Sequence, residues 1–109
     1  GSVKLVVENV GEVASTDDLR GLVQSVRERL GAEAAVVALA ATIGDKPAVI
    51  VATNEASRAH GVAAGALAKA AAGVLGGGGG GKPDIAQGGG ANPASIPEAL
   101  ALIVSTLSA

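Results

Sequence analysis

The chain has 109 residues, a net charge of −2, and no cysteine, methionine or aromatic residue. This length favours one domain with a modest core of Val, Leu, Ile and Ala, and the composition excludes disulfides, thiolate metal sites and base stacking on aromatic rings. It also lacks the basic excess of an autonomous nucleic-acid-binding protein. With no cysteine, no bilayer-spanning stretch and no secretory pattern, we expect a cytoplasmic protein.

Gly1 and Ser2 resemble a scar left by tag removal, and residues 3–109 are expected to form the domain. Residues 3–10 are rich in Val and indicate a strand. Ser15 and Asp18 have the spacing of a capping box, and a helix is expected from there to Gly31. Its apolar stripe comprises Leu19, Leu22, Val23, Val26 and Leu30. Its solvated faces are expected to carry Arg20, Arg27, Glu28 and Arg29.

The middle of the chain predicts a β-hairpin followed by a helix. Two apolar runs, residues 34–43 and 47–53, flank a turn at residues 44–46, and their nearly continuous hydrophobicity indicates strands covered on both faces or in the middle of a sheet. Residues 57–75 are rich in Ala and predict one helix. Gly61 and Gly65 lie inside it at a cost of about 1 kcal/mol each, which suggests close approach by another backbone or by a ligand.

The last third of the chain is glycine-rich. Six consecutive glycines at residues 76–81 are not expected to form regular structure. Residues 82–87 predict a short edge strand, bounded by Pro83 and by three further glycines. Ser95 and Glu98 form a second possible capping box, before an amphipathic helix whose apolar positions are Leu100, Ile103, Val104 and Leu107.

The element order β-α-β-β-α-(β)-α predicts a small α/β fold, with a mixed sheet of three to five strands packed against about three helices. The first strand, helix and second strand are expected to form a parallel unit. A ferredoxin-like split unit is an alternative arrangement of the first five elements.

The glycine run matches two nucleotide-binding patterns that its context excludes. Pro83 stands where a P-loop needs Ser or Thr, and the run follows a helix instead of a strand. Two interpretations remain: a flexible hinge, or a cradle of backbone N–H groups for an anion with Lys82 beside it. Two glycine clusters around the segment KPDIAQ favour a defined surface.

Other polar residues give weaker signals. His60 is the single histidine, and no metal site or catalytic residue is expected. Arg58 and Lys69 are eleven residues apart, which on one helix places them on similar sides, either as a weak basic stripe or as ordinary surface residues.

The segment GVLGGGGGGKPDIAQGGG, with the helix HGVAAGALAKAAAGVLG before it, resembles the C-terminal signature of bacterial alanyl-tRNA synthetases and, more broadly, the accessory domain of DHH-type phosphoesterases. The family more often has arginine at the position of Lys82 and methionine at that of Ile85. The resemblance implies a non-catalytic module that binds the elbow of tRNA, where the D and T loops meet. It also implies a link between aminoacylation and editing, with ATP and zinc held only by other domains of a ligase.

Chemistry and this resemblance together give a set of candidate RNA-binding residues. They are Gly76, Gly77, Gly78, Gly79, Gly80, Gly81, Lys82, Gln87, Gly88, Gly89, Gly90, Lys69, Arg58 and His60. The expected partners are alanine-specific tRNA, other synthetase domains and, as a further possibility, a second copy of the chain. Two alternatives stay open: a docking or dimerisation module with Ala/Gly surfaces, and a single-strand-binding accessory domain of a DHH-type phosphoesterase.

Overall fold

The computed structural model describes residues 3–108, so the suggested tag scar at residues 1 and 2 lies outside the described part. The strands are β1 (Lys4–Glu12), β2 (Ala35–Ile43), β3 (Lys46–Thr53), β4 (Gly79–Gly81) and β5 (Ile85–Gly89). The helices are α1 (Thr16–Arg29), α2 (Glu55–Ala59), α3 (Ala64–Leu75) and α4 (Ile96–Ser108). Within residues 3–108, no helix is both long and apolar enough to span a membrane.

The five strands form one mixed sheet in the order β1-β2-β3-β5-β4. The β1 and β2 strands are parallel neighbours, and every other pairing in the sheet is antiparallel. The predicted fold class is therefore confirmed, with five strands and four helices. A split unit would need a strand between β1 and β2, so the ferredoxin-like alternative is wrong.

The sheet is covered by helices on both faces. One face packs against α1, whose Leu19 and Val23 are fully buried, and the other packs against α3 and α4. Residues of β2 and β3 enter both clusters in alternation, which confirms the prediction of strands covered on both faces.

The ends of α1 and the hairpin follow the sequence pattern. The Ser15 hydroxyl accepts a hydrogen bond of 3.2 Å from the Asp18 N–H, and Ile43 pairs with Lys46 across the two-residue turn. Gly44 in that turn has φ +66°, which glycine adopts without strain. The prediction of a buried apolar stripe is wrong for one member, Leu22. Its side chain lies at the solvent margin of the stripe and is 44% exposed.

The single helix predicted over residues 57–75 is wrong, because the chain forms two helices with a break at residues 60–63. Asn54 and Ser57 form a reciprocal capping box that starts α2. Gly61 has φ +86°, a left-handed conformation that ends α2 before α3 begins.

The second predicted capping box, at the start of α4, is also wrong. A 3₁₀ turn at Pro93–Ser95 leads into α4, and the Ser95 hydroxyl makes no hydrogen bond with any residue in 3–108.

The glycine-rich segment contains two strands. Residues 79–81 form β4 by pairing with β5, so the expectation of no regular structure is wrong for them. The strand after the run is β5 and lies between β3 and β4, so it is interior and β4 is the edge. A partner strand supplies the hydrogen bonds that a glycine run cannot supply alone.

Helix α3 lies directly against the backbone of β4 and β5. A Cβ atom on Gly65 would stand 2.7 Å from the Gly81 carbonyl oxygen, and one on Gly88 would stand 2.8 Å from the Ala72 Cβ and 2.9 Å from the Ala68 carbonyl oxygen. These positions have no room for any side chain. For Gly65, the predicted close approach by another backbone is thus confirmed.

Two glycines of α3 provide a matched test of this contact. We expect Gly65→Ala to lower the free energy of unfolding by about 1–3 kcal/mol, because the new methyl group overlaps the Gly81 backbone. Gly73→Ala, at a helical position with no atom within 4 Å, should raise it by about 0.5–1 kcal/mol. Urea unfolding of both variants measures the two values, and a change of the same sign in both would contradict the packing described.

Candidate nucleic-acid interface

The candidate site is the glycine hairpin, defined as residues 76–90, which comprises β4, the turn at residues 82–84, and β5. One face of the glycine hairpin is occupied by packing contacts and is not available to a ligand. A Cβ atom at any of five positions would overlap α3, the opposite strand or the loop after it: Gly77, Gly79, Gly81, Gly88 and Gly90. Gly76 has φ +84° and ends α3, its N–H donating to the Ala72 and Gly73 carbonyls.

The other face of the glycine hairpin is open. Gly78 and Gly80 have no atom within 4 Å of an added Cβ, and Gly80 pairs with the exposed Gln87. Beside this face runs a groove of about 410 Å³. Its floor includes the buried Ile50, and Lys46, Gly78 and Gln87 are among its other lining residues.

The free edge of β4 presents backbone donors. The Gly89 N–H donates to the Gly78 carbonyl and the Lys82 N–H to the Ile85 carbonyl, each at 3.2 Å. Antiparallel pairs alternate between bonded and non-bonded, so the intervening Gly79 and Gly81 direct their backbone N–H and C=O groups away from β5. On that side Gly81 lies against Gly65 of α3, so the amide donor that stays open at the edge is that of Gly79.

The turn of the hairpin is held firmly, and this positions Lys82. The Pro83 carbonyl accepts from the Ala64 N–H at 2.9 Å and from the Thr53 hydroxyl, and the Asp84 carbonyl accepts from the Thr53 N–H at 2.9 Å. Thr53 is fully buried, whereas Lys82 is exposed at the tip. The glycine hairpin thus ends in a fixed turn that displays one cation.

The other candidate residues with basic side chains lie at three different places in the structure. Arg58 donates to the Thr53 carbonyl at 2.8 Å and to its hydroxyl at 3.2 Å, so it supports the end of β3. Lys69 is exposed on α3, one helical turn beyond Gly65, which faces β4. Arg58 lies in α2 and Lys69 in α3, so the prediction that they form a basic stripe on one helix is wrong. His60 is exposed at the end of α2 and borders a different groove, with Leu107.

Two arginines of α1 hold β5 from the opposite side of the sheet. Arg20 donates to the Gln87 side-chain oxygen at 2.6 Å, and Arg27 donates to the Asp84 carbonyl at 3.2 Å. Seven residues of helix and three of strand both span about 10 Å, so the two contacts match in length. Both arginines are half-exposed, so the predicted solvated face was incomplete in that each also contacts the sheet; Arg29 and Glu28 are exposed as predicted.

Charge is segregated along the chain. Residues 56–97 contain Arg58, Lys69 and Lys82 against one carboxylate, Asp84, whereas the remaining residues contain five Lys or Arg against nine Asp or Glu. In that acidic part Lys4 is bound to Glu33 at 2.8 Å, and this hydrogen bond and the charge of Lys4 lower the pKa of Glu33. Although the net charge of the chain is weakly negative, it therefore contains a positively charged segment that includes the glycine hairpin.

Sequence reasoning missed Arg20, Arg27, Thr53 and Lys46. For the two arginines the available signal was their spacing of seven, which repeats on one helix side. Thr53 and Lys46 look like an ordinary strand end and an ordinary turn cation. Their relation to the hairpin follows from β3 pairing with β5, a contact between distant parts of the chain.

Comparisons with known proteins agree with this architecture. The DHHA1 domain family matches residues 2–109. The chain is 58% identical over 107 residues to the alanine–tRNA ligase of Leifsonia xyli subsp. xyli and 59% identical over 109 residues to that of Renibacterium salmoninarum, which covers 98% and 100% of the chain. It spans 12% of the length of each of these relatives.

A solved structure shares the fold. The C-Ala domain from Aquifex aeolicus alanyl-tRNA synthetase superposes with a TM-score of 0.84 at 33% sequence identity. The match covers 100% of this chain and 97% of that domain.

The tether from α1 can be tested by comparing two arginines of that helix. Arg27→Met should lower the free energy of unfolding by about 1–2 kcal/mol, because the Asp84 and Thr53 carbonyls lose a charged donor. Arg29→Met, at an exposed position, should change it by less than about 0.5 kcal/mol. Equal effects in thermal or urea unfolding would show that Arg27 does not hold the turn.

Proposed function

The chain belongs to the DHHA1 domain family and, within it, to the C-Ala domains of alanyl-tRNA synthetases, and from this premise we propose that it binds tRNA at the elbow, where the D and T loops meet. The domain is non-catalytic. The proposal extends to the parent protein: a cytoplasmic alanine–tRNA ligase whose other domains hold ATP and zinc, and in which this domain helps aminoacylation and editing act on one tRNA. Two facts support this extension: both relatives are alanine–tRNA ligases by name, and the chain spans only 12% of their length.

The observation that carries the proposal is the combination of charge and bare backbone on the glycine hairpin. Lys82 at the tip and Lys69 on the flanking helix lie in the positive segment of the chain. The edge of β4 next to the turn offers the N–H group of Gly79. Phosphate oxygens accept hydrogen bonds from such amides, and the two ammonium groups would neutralise phosphate charge.

The open face of the hairpin suits the remaining contacts. Gly78 and Gly80 carry no side chain and have open space above them, so a sugar–phosphate backbone can approach the sheet closely there. Gln87 adds one polar side chain on this face. Recognition would thus rest on shape, phosphates and a few hydrogen bonds, which is how proteins often bind folded RNA. With few exposed cations at or beside the hairpin, namely Lys46, Lys69 and Lys82, the isolated domain should bind weakly and release RNA as salt rises.

The alternatives have less support. The docking or dimerisation hypothesis rested on exposed Ala/Gly surfaces, but Ala68, Ala71 and Ala72 are fully buried against the sheet, which leaves only the narrow outer side of α3 with Ala66, Ala70 and Gly73 exposed. Homodimer formation stays a possible additional property of the domain. An accessory domain of a DHH-type phosphoesterase is disfavoured because the two curated relatives compared above are alanine–tRNA ligases.

The cation contribution can be measured with single substitutions. Lys82→Gln and Lys69→Gln should each weaken binding of alanine tRNA about three- to tenfold, and each should reduce the slope of log affinity against log salt by up to about one. Arg29→Gln, an equal charge change on the exposed side of α1, serves as the control and should have little effect. If all three variants bind equally in mobility-shift titrations, the hairpin is not the RNA-binding surface.

Elbow recognition requires changes in the RNA. A transcript whose D and T loops can no longer pair should bind the 109-residue chain about tenfold more weakly than intact alanine tRNA, because the docked shape is lost. A transcript altered only in the anticodon stem controls for general RNA affinity and should bind normally. Equal affinity for the intact and loop-disrupted transcripts would rule out the elbow as the target.

A further inference from the structure

The orientation of the Gln87 side-chain amide is fixed by its neighbour. Arg20 donates through Nη2 to Gln87 Oε1 at 2.6 Å. A guanidinium has donors and no acceptor, so the amide oxygen must face Arg20 and the amide nitrogen must face away from it. Among residues 3–108, no hydrogen bond occupies that nitrogen. Its two N–H donors are therefore available to a ligand.

The surroundings of Gln87 leave this amide accessible. It is exposed on the open face of the glycine hairpin, directly opposite Gly80, which has no side chain to cover it. Gln87 also lines the groove beside that face, together with Thr16 and Lys46. Lys46 is the charged residue among those that line this groove, and the Arg20 guanidinium lies on the other side of the Gln87 amide. The amide itself is neutral, so it can donate to an uncharged oxygen of the RNA.

We propose that Arg20 is a positioning residue that makes Gln87 a donor-only contact, which selects an uncharged oxygen acceptor on the RNA. This inference rests on the proposed tRNA binding and adds a specificity determinant to it. The acceptor is either a base carbonyl oxygen or a ribose 2′-hydroxyl oxygen. RNA groups that can only donate are rejected, because the Gln87 oxygen is already occupied by Arg20.

The decisive variant is Gln87→Glu, which is nearly isosteric. It keeps an oxygen acceptor for Arg20 and so should preserve the fold, but it replaces both N–H donors with a second acceptor. Gln24→Glu makes the same chemical change at an exposed position of α1 and controls for the added negative charge. We expect Gln87→Glu to bind alanine tRNA about tenfold more weakly than Gln24→Glu, with the same midpoint of thermal unfolding.

A second arm tests the role of Arg20. Arg20→Met should weaken tRNA binding about threefold relative to Arg29→Met, since the freed amide can turn its oxygen outward. The same Arg20 change in a Gln87→Met background should have no further effect beyond that of Arg29→Met. In NMR spectra of the wild-type chain, the Gln87 side-chain N–H signals should shift on addition of tRNA, which a purely structural role of Arg20 would not produce.

Modified RNA identifies which group of the tRNA accepts the hydrogen bond from Gln87. If it is a ribose hydroxyl, 2′-deoxy substitution in the D and T loops should remove the difference between Gln87→Glu and Gln24→Glu. If it is a base carbonyl, the difference persists. A wild-type chain that does not bind tRNA overturns the proposed function and this inference with it. A wild-type chain that binds while the two Glu variants bind equally overturns this inference alone.

Discussion

The structure depends on one close contact, that of the α3 backbone with the backbones of β4 and β5. No side chain lies between Gly65 and the Gly81 carbonyl, and Ala68 and Ala72 close directly over Gly88. Because this approach excludes a Cβ atom, Gly79 and Gly88 on the face toward α3 must be glycine. Gly80 and Gly81 add a second constraint, since their φ values near +150° are costly for other residues. Packing therefore accounts for much of the glycine run before any ligand is considered.

The same constraint shapes the candidate RNA surface. The packed glycines of one face leave the Gly79 amide at the β4 edge, and Gly78 and Gly80 leave the opposite face bare. Three arginines hold the hairpin and the strand end beside it: Arg27 binds the Asp84 carbonyl in its turn, Arg58 binds the Thr53 carbonyl at the end of β3, and Arg20 binds Gln87. Lys69 and Lys82 stay exposed. A chain with net charge −2 can thus present a locally positive surface, although it has few cations to offer.

Sequence patterns predicted what depends on local periodicity or turns. The α1 stripe, the β2–β3 hairpin at Gly44 and the closing helix follow from such patterns. The break at Gly61 was missed because a glycine within an Ala-rich segment is compatible with helix, and the left-handed φ that ends α2 is set by tertiary packing. Strand β4 was missed because its stability comes from pairing with β5. Arg58 was assigned to the RNA surface because its partner, Thr53, is identified only by the fold.

The central claim is that the open face, edge and tip of the glycine hairpin contact tRNA while its other face serves packing. Backbone amide shifts of the 109-residue chain, measured by NMR during titration with alanine tRNA, test it most directly. The account predicts that the largest shifts fall on residues 78–89 and around Lys69, with small changes along β1 and α4. Large shifts on β1 or α4, with the hairpin amides unmoved, would contradict it.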